Sequence, residues 1–171
     1  MVAGGLSLQI NDIQSKIVMD QFLMDATVRS VGAMDTSLNN VQYNYITAGN
    51  VVATPWHQNN PLKPIAYAEG YLTITDMLLV CPLDSEAQGK IKLMPRQDML
   101  IFYLERFVVQ AKLSMGEDMV LSGVLDSLDR RFLTITDVSV FPMFPAVASL
   151  PKSMPIALLN KDKISHYHLP G

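Results

Sequence analysis

Two segments of the chain, at residues 22–28 and 107–113, alternate apolar and polar side chains with a period of two. This period is typical of strands that place one face in a hydrophobic core and the other in water. Similar short segments, separated by turn-forming residues, recur along the chain at residues 119–125, 156–159 and 164–167, among others. The sequence therefore predicts an all-β fold.

The pentapeptide Leu-Thr-Ile-Thr-Asp occurs twice, at residues 72–76 and 133–137, with an aromatic residue before each copy. An internal repeat of this kind predicts a tandem duplication of one small, strongly bent β-barrel. The pentapeptides lie closer together than the two alternating segments do, which predicts an inserted loop at residues 47–64 of the first copy. We expect an N-terminal module at residues 1–98 and a C-terminal module at residues 99–171. A single β-sandwich is the alternative.

The second copy of the pentapeptide also predicts a bulge. Leu133 and Ile135 share one face of a strand, but the next apolar residues, Val138 and Val140, fall on the other face. A β-bulge at Asp137 would shift the phase and bend the strand. By the repeat, we expect Asp76 to have the same structural role in the first module.

Residues 113–137 resemble the first signature of the Sm-like family, with Gly123, Leu125 and Asp129 where that family has its Gly, Leu and Asp. The resemblance is confined to this segment. It implies a five-stranded, strongly bent barrel of the Sm-like or SH3-like type. It also implies rings formed by edge-to-edge strand pairing, with RNA as the usual ligand.

Other positions depart from that family. Leu133 stands where uridine-binding members have Asn, and no Gly follows Lys161 or Lys163 to complete the second signature. The resemblance therefore implies a barrel and self-association more than RNA binding. Residues 137–139 are also similar to the Asp-x-Ser pattern of the PilZ domain, which implies a small-ligand regulatory domain as a further alternative.

The composition is apolar for a β-rich chain of 171 residues, with 49% hydrophobic and 17% charged residues and a net charge of −3. Little charge is available to cover the surface, which predicts that part of it is buried against another copy or a protein partner. The only adjacent basic pair is Arg130 and Arg131, so the charge pattern disfavours a nucleic-acid partner.

Residues 141–155, which we call the arm, contain four Pro, two Phe, two Met and one charged residue. Proline at this density favours an extended segment over a central strand. We expect the arm to lie on the surface of its own barrel or on a neighbouring subunit. The candidate interface residues are Phe141, Met143, Phe144, Leu150 and Met154.

A second candidate site is the predicted inserted loop, where Trp56, His57 and Asn59 could contact a ligand. The alternative is that Trp56 anchors the loop on the barrel. His166 and His168 would share one face of a strand, but a third metal ligand is missing nearby, so no metal site is predicted. The single cysteine, Cys81, lies in an apolar run and is expected to be a buried thiol.

No sequence motif of an enzyme or of a cofactor site is found, so we expect a non-enzymatic protein without a cofactor. The leading hypothesis is a structural or scaffolding protein that self-assembles, or docks to a protein partner, through strand edges and the arm. No apolar run approaches the roughly 18 residues of a membrane-spanning helix, and no secretory signal is visible. We therefore expect a cytoplasmic protein.

Overall fold

The computed structural model describes residues 8–127 and 129–171 of the chain. Their regular structure is dominated by antiparallel β-strands, so the predicted all-β class is confirmed. The strands are β1 (Ile10–Met19), β2 (Phe22–Val31), β3 (Tyr45–Pro55), β4 (Ile65–Thr73), β5 (Met77–Pro82), β6 (Arg96–Leu104), β7 (Phe107–Met115), β8 (Phe132–Pro142), β9 (Met154–Asn160) and β10 (Ile164–His168).

Three short helices accompany the strands: α1 (Met34–Leu38), α2 (Ser85–Lys90) and α3 (Val124–Ser127). Within the described ranges, none of the helices has the length and apolar character needed to cross a membrane. A 3₁₀ turn at Leu121–Gly123 precedes α3, so the strand predicted at residues 119–125 is wrong. Leu125, the second residue of the Sm-like signature, lies in α3.

All ten strands belong to one antiparallel sheet, in the order β10-β6-β7-β8-β9-β5-β1-β2-β3-β4. Among the described residues, the first and last strands in this order, β10 and β4, each have a neighbour on one side only. The sheet is therefore open at two edges and is not closed into a barrel. The alternative of a β-sandwich is wrong, because a sandwich needs two sheets packed face to face.

The two halves of the sheet have the same internal strand order. The N-terminal half is ordered β5-β1-β2-β3-β4 and the C-terminal half β10-β6-β7-β8-β9. In each half a 3₁₀ turn joins the fourth strand to the fifth, at Ile74–Asp76 and at Lys161–Lys163. The chain passes between the halves through residues 83–95, so the boundary predicted after residue 98 falls inside β6.

A bulge lies at the same place in each half, between the second and third strands. The register between β2 and β3 shifts opposite Ala26, and the register between β7 and β8 shifts opposite Ala111. The residues at these shifts, Asn50 and Asp137, are the non-glycine residues with positive φ among those described, at 48° and 51°. Asn and Asp adopt this left-handed region more readily than other side chains.

Asp137 thus lies at a bulge, but the expectation for Asp76 is wrong. Asp76 ends the 3₁₀ turn that follows β4 and is exposed. The residue that corresponds to Asp137 is Asn50. The carboxylate of Asp137 forms an ion pair with Lys112 Nζ at 2.7 Å across the strand pair and is more than half exposed.

The repeated pentapeptide does not occupy corresponding positions in the two halves. Residues 133–137 lie in β8, a third strand, whereas residues 72–76 run from the end of β4 into the 3₁₀ turn. Phe22 and Phe107, in contrast, both open the second strand of their half. The spacing of Asn50 and Asp137 leads from Leu72 to Leu159 in β9 and not to the second pentapeptide. The pentapeptide match is therefore not a product of the repeated strand order.

The predicted insertion at residues 47–64 is wrong for the same reason. Residues 47–55 form most of β3, and only residues 56–64 form a connection, between β3 and β4. The corresponding connection in the C-terminal half, residues 143–153, is slightly longer. The two pentapeptides are not structurally equivalent, so the distance between them does not indicate an insertion.

Buried side chains form two hydrophobic cores. The first is built mainly by β6 to β9 and the second mainly by β1 to β4. The two central strands contribute to both cores, with Leu79 and Leu159 in the first and Val80 and Leu158 in the second. Because successive side chains of a strand point to opposite faces, the cores lie on opposite sides of the sheet at this junction.

The halves also exchange contacts away from the junction. The side-chain amide of Asn39, after α1, donates to the Phe132 carbonyl at 3.2 Å, and its oxygen accepts from the Phe132 backbone N–H at 2.7 Å. Phe132, at the start of β8, is fully buried in the second core. A strand of the C-terminal half thus completes the core of the N-terminal half.

One buried carboxyl group lies in α1, which packs near this contact. Asp35 is 7% exposed, and its Oδ1 has no hydrogen-bond partner within the described residues. Burial raises the pKa of Asp35, although a backbone hydrogen bond from Thr36 and the charge of Arg130 oppose the shift. A carboxyl whose pKa is raised by folding costs stability once it ionises, so stability is lost as the pH rises through the folded-state pKa.

We expect Asp35→Asn to increase the free energy of unfolding at pH 7, because the amide keeps the shape of the side chain and removes the buried charge. The gain should shrink toward pH 3, where the carboxyl group is protonated in both states. Urea denaturation at the two pH values measures the difference. Asp118→Asn at an exposed turn is the control, with an effect within about 0.5 kcal/mol. A loss of stability in Asp35→Asn at pH 7 would contradict this account.

The bulges predict a second mutational pattern. Asn50→Gly and Asp137→Gly should change the free energy of unfolding by no more than about 1 kcal/mol, since glycine accepts positive φ. The valine variants should be about 1–2 kcal/mol less stable than the glycine variants, because a β-branched side chain is strained in that region. Chemical denaturation measures both pairs. Equal stability of the glycine and valine variants would show that neither bulge requires the left-handed conformation.

Candidate functional site: the two open edges of the sheet

The free edge of β4 is the less protected of the two open edges. Tyr71 is 69% exposed and Ile65 is 46% exposed, and Ala66 and Ala68 on the opposite face are exposed as well. The strand carries one charge, Glu69, and no proline. Natural edge strands are usually covered, charged, interrupted or very short. This strand shows none of those protections except its single carboxylate.

The shape of β4 is fixed from its own side chains. The ring of Tyr67 lies over Gly70, where a Cβ atom would stand 2.5 Å from Tyr67 Cε2. A side chain at this position would collide with the tyrosine ring unless the ring moved. The hydroxyl of Tyr71 donates to Glu69 Oε1 at 3.3 Å. The exposed side chains of this edge are therefore mainly apolar.

The opposite edge, β10, pairs with β6 alone and has a more polar outer surface. His166 stacks on Tyr103 with ring centroids 4.2 Å apart, and His168 Nε2 lies 3.2 Å from the Tyr103 hydroxyl. Ser165 Oγ donates to the Tyr103 carbonyl at 2.9 Å. These three exposed side chains are thus held in place by one tyrosine of the neighbouring strand.

The remaining face of β10 is attached to the first core. Tyr167 packs against this core next to Phe102, with ring centroids 6.2 Å apart, and its hydroxyl donates to the Leu121 carbonyl at 2.5 Å. Burial, together with the charge of Asp126, raises the pKa of the Tyr167 phenol, which keeps it protonated as a donor. The edge strand is therefore fixed on the body of the protein.

The two halves are joined by the pairing of β9, the fourth strand of the C-terminal half, with β5, the fifth strand of the N-terminal half. The two open edges are likewise a fourth strand, β4, and a fifth strand, β10. At the junction Leu79 pairs with Leu159 and Val80 with Leu158, and all six residues of β5 are buried. The buried side chain of Asn160 donates to the Met77 carbonyl at 2.8 Å and closes one end of the pair. Within a single chain, the fourth strand of one half is thus already paired with the fifth strand of the other.

The arm folds largely onto its own chain. Phe144 stacks on His57 with centroids 4.4 Å apart, packs edge-on to Phe107 at 5.5 Å, and lies under the Arg106 guanidinium at 4.8 Å. Arg106 also contacts the His57 ring. The Val147 backbone N–H donates to the Trp56 carbonyl at 2.9 Å. Of the two placements expected from the sequence, the structure shows the arm on its own surface at these residues.

The five predicted interface residues are in three different environments. Phe141 and Met143 are exposed, at 51% and 53%. Phe144 and Leu150 are half-buried against the first core. Met154 is buried within β9. Only the first two are therefore open to another molecule in this conformation.

The predicted ligand loop is anchored by its tryptophan. Trp56 is 1% exposed, packs with Phe107, and donates from its indole nitrogen to the Met19 carbonyl at 2.9 Å. His57 is half-buried beneath the arm, and Asn59 is exposed. The three residues do not converge on one site.

The possible metal ligands and the single cysteine were located in the fold. In residues 8–127 and 129–171, no group of three or more His, Cys, Asp or Glu side chains is placed to hold a metal ion. Cys81 is fully buried in β5, and burial raises its pKa to about 12. A thiol in this environment stays protonated and is a poor nucleophile.

A cleft of about 540 Å³ lies between the start of β1, α1 and α2. Two of its carboxylates are engaged locally. Asp84 caps α2 by accepting from the Ala87 backbone N–H at 2.7 Å, and Glu86 pairs with Lys90 at 2.9 Å. These are the contacts of a helix N-cap and of a surface pair one helical turn apart.

Sequence reasoning missed that β4 and β10 are the edges, because edge position depends on strand order. It also missed the match between residues 50–55 and 137–142, in which Asn50 or Asp137 is followed directly by Val and, at the end of the strand, by Pro55 or Pro142. That match was the available signal for the true spacing of the two halves. Comparisons with protein-family models, with curated protein sequences and with solved structures find no match for this chain.

The arm provides a matched pair of variants. Phe144→Ala should lower the free energy of unfolding by about 2 kcal/mol, because it removes a ring packed on Phe107, His57 and Arg106. Phe141→Ala, in the same segment but half-exposed, should change it by less than about 0.5 kcal/mol. Both are measured by urea denaturation in dilute protein. Equal effects would mean that the arm is not attached through Phe144.

Proposed function

We propose that this protein is a structural or scaffolding protein that associates with other protein chains, first of all its own copies, through the open edges of its sheet. The observation that carries the proposal is β4, a nine-residue edge strand in which Ile65 and Glu69 are exposed on one face and Ala66 and Ala68 on the other. Edge strands of this length and composition pair readily with another strand.

β9 provides an internal comparison for β4. β9 has the same place in its half as β4. Six of its seven residues are buried, and β5 pairs with its edge at Leu158 and Leu159. β4 has the corresponding backbone groups, and no strand within residues 8–127 and 129–171 covers them. Pairing with another chain would satisfy those N–H and C=O groups and bury Tyr71 and Ile65.

We further propose that each half is one copy of a tandem module, a small bent sheet of five strands related to the barrels of the Sm-like and SH3-like type. The equal strand order, the 3₁₀ turn before each fifth strand, and the bulges at Asn50 and Asp137 support a common origin. Modules of this kind have two free edges by construction, so association along the edge direction is their natural mode of growth.

Static light scattering at tens of micromolar tests the proposal. We expect a wild-type mass well above the 19.0 kDa of one chain, and a mass near that value for Tyr71→Lys, which places a charge on the edge. Leu83→Lys is the matched control, since Leu83 is 46% exposed but follows β5, which has neighbours on both sides. A monomeric wild type would refute self-association, and only docking to a different protein would remain.

A further inference from the structure

We infer that copies of the chain join head to tail, with β4 of one copy pairing antiparallel to β10 of the next in the register that β9 and β5 use inside each chain. This inference rests on the proposed self-association and adds its partner strand and register. The internal junction supplies the template, because it joins a fourth strand to a fifth strand.

The correspondence between strands defines the register. At the spacing set by Asn50 and Asp137, Leu158 and Leu159 of β9 match Tyr71 and Leu72 of β4. In the internal junction Leu79 faces Leu159 and Val80 faces Leu158. Transferred to two copies, the same pairing places His166 opposite Leu72, and Tyr167 opposite Tyr71.

The two fifth strands leave their neighbours with the same irregularity. The pairing of β5 with β1 skips Leu78, between Met77 and Leu79. The pairing of β10 with β6 skips Ser165, between Ile164 and His166, which are the residues at the matching positions. A repeated bulge gives both strands the same local bend. The free edge of β10 therefore has the backbone shape that β5 offers to β9.

The exposed tyrosine of β4 fits this arrangement. In the internal junction, Leu158 of β9 points into the second core, which is the core of the N-terminal half that contains β5. Leu158 is fully buried there beside Val80. Tyr71 of one copy would point in the same way toward the first core of the next copy, beside Tyr167. A cleft of about 260 Å³ lies there, lined by Leu100, Leu121, Tyr167 and Leu169 among others. The tyrosine ring would cover this apolar opening.

The chemistry of β10 makes the junction between copies weaker than the internal one. Where β5 has Leu78, Leu79 and Cys81, β10 has Ser165, His166 and His168. Polar side chains at these positions bury less apolar area and must give up water contacts. The junction between copies is therefore reversible with protein concentration, whereas the internal junction is permanent.

Head-to-tail pairing differs from a symmetric dimer in what it leaves open. Pairing β4 with β4, or β10 with β10, would use the same patch on both partners and stop at two chains. Pairing β4 with β10 leaves one free edge of each kind at the ends. The assembly then grows until it closes into a ring or continues as a filament.

A pair of single-edge variants distinguishes these modes. Tyr71→Lys blocks β4, and His166→Lys blocks β10 at a side chain that is exposed in the single chain. Each variant alone should be monomeric at concentrations where the wild type is assembled. An equimolar mixture should form a dimer of twice the chain mass, because one intact β4 meets one intact β10. Because both substitutions introduce lysine, the two altered edges cannot attract each other through opposite charges when the variants are mixed.

The other outcomes would contradict different claims. A blocked variant that still forms dimers alone would show symmetric pairing through its intact edge, which removes the head-to-tail inference and keeps the proposed function. Blocked variants that remain monomeric when mixed would also remove the head-to-tail inference. A monomeric wild type would remove the head-to-tail inference together with the proposed self-association, and would leave only docking to a different protein. Circular dichroism of each variant excludes misfolding as the cause.

Disulfide trapping tests the register separately. A mixture of Tyr71→Cys and Tyr167→Cys chains should form a covalent dimer on mild oxidation, and neither variant should do so alone. Glu69→Cys is the matched control, since Glu69 is the next residue along the same face of β4. Stronger trapping by Glu69→Cys than by Tyr71→Cys would place the strands in a different register. The buried Cys81 is present in all chains and is not expected to react.

Discussion

The pairing of β5 with β9 is the interaction on which the rest of the architecture depends. It joins two five-stranded halves into one sheet, and it gives each central strand a core on both faces. Backbone groups at a strand edge must find partners when they are buried, and here each half supplies the partners of the other. Asn160 extends the pairing with a buried side-chain bond to the Met77 carbonyl.

This junction also explains where prediction from the sequence succeeded and failed. Strands with one solvent-exposed face, such as β2 and β7, alternate apolar and polar residues in the sequence, and their positions were predictable for that reason. β5 has no alternation because both of its faces are buried, so its apolar run says nothing about its neighbours. The two identical pentapeptides differ in structure because tertiary context, not local preference, decides between strand and turn.

The two halves share a bulge at equivalent positions, although the residues at the two bulges are not identical. Asn50 and Asp137 are different residues, yet both adopt positive φ opposite a buried alanine. The common requirement is conformational, and it is met by either of two side chains that tolerate this region. An alignment that scores identical letters favours the pentapeptide, whereas one that looks for a tolerated turn residue, followed by valine and a strand-ending proline, finds the correct spacing.

The contact between the arm and the β3–β4 connection has a consequence for association. His57 and Phe144 stack on one another, and a backbone bridge joins His57 to Ala146. The halves are therefore fixed to each other here as well as at the β5–β9 pair and at the Asn39–Phe132 contact, which limits rotation about the central pair. Because β4 and β10 belong to different halves, this rigidity sets the angle between the two open edges. A constant angle between successive copies is the geometric condition that decides whether a head-to-tail assembly closes into a ring.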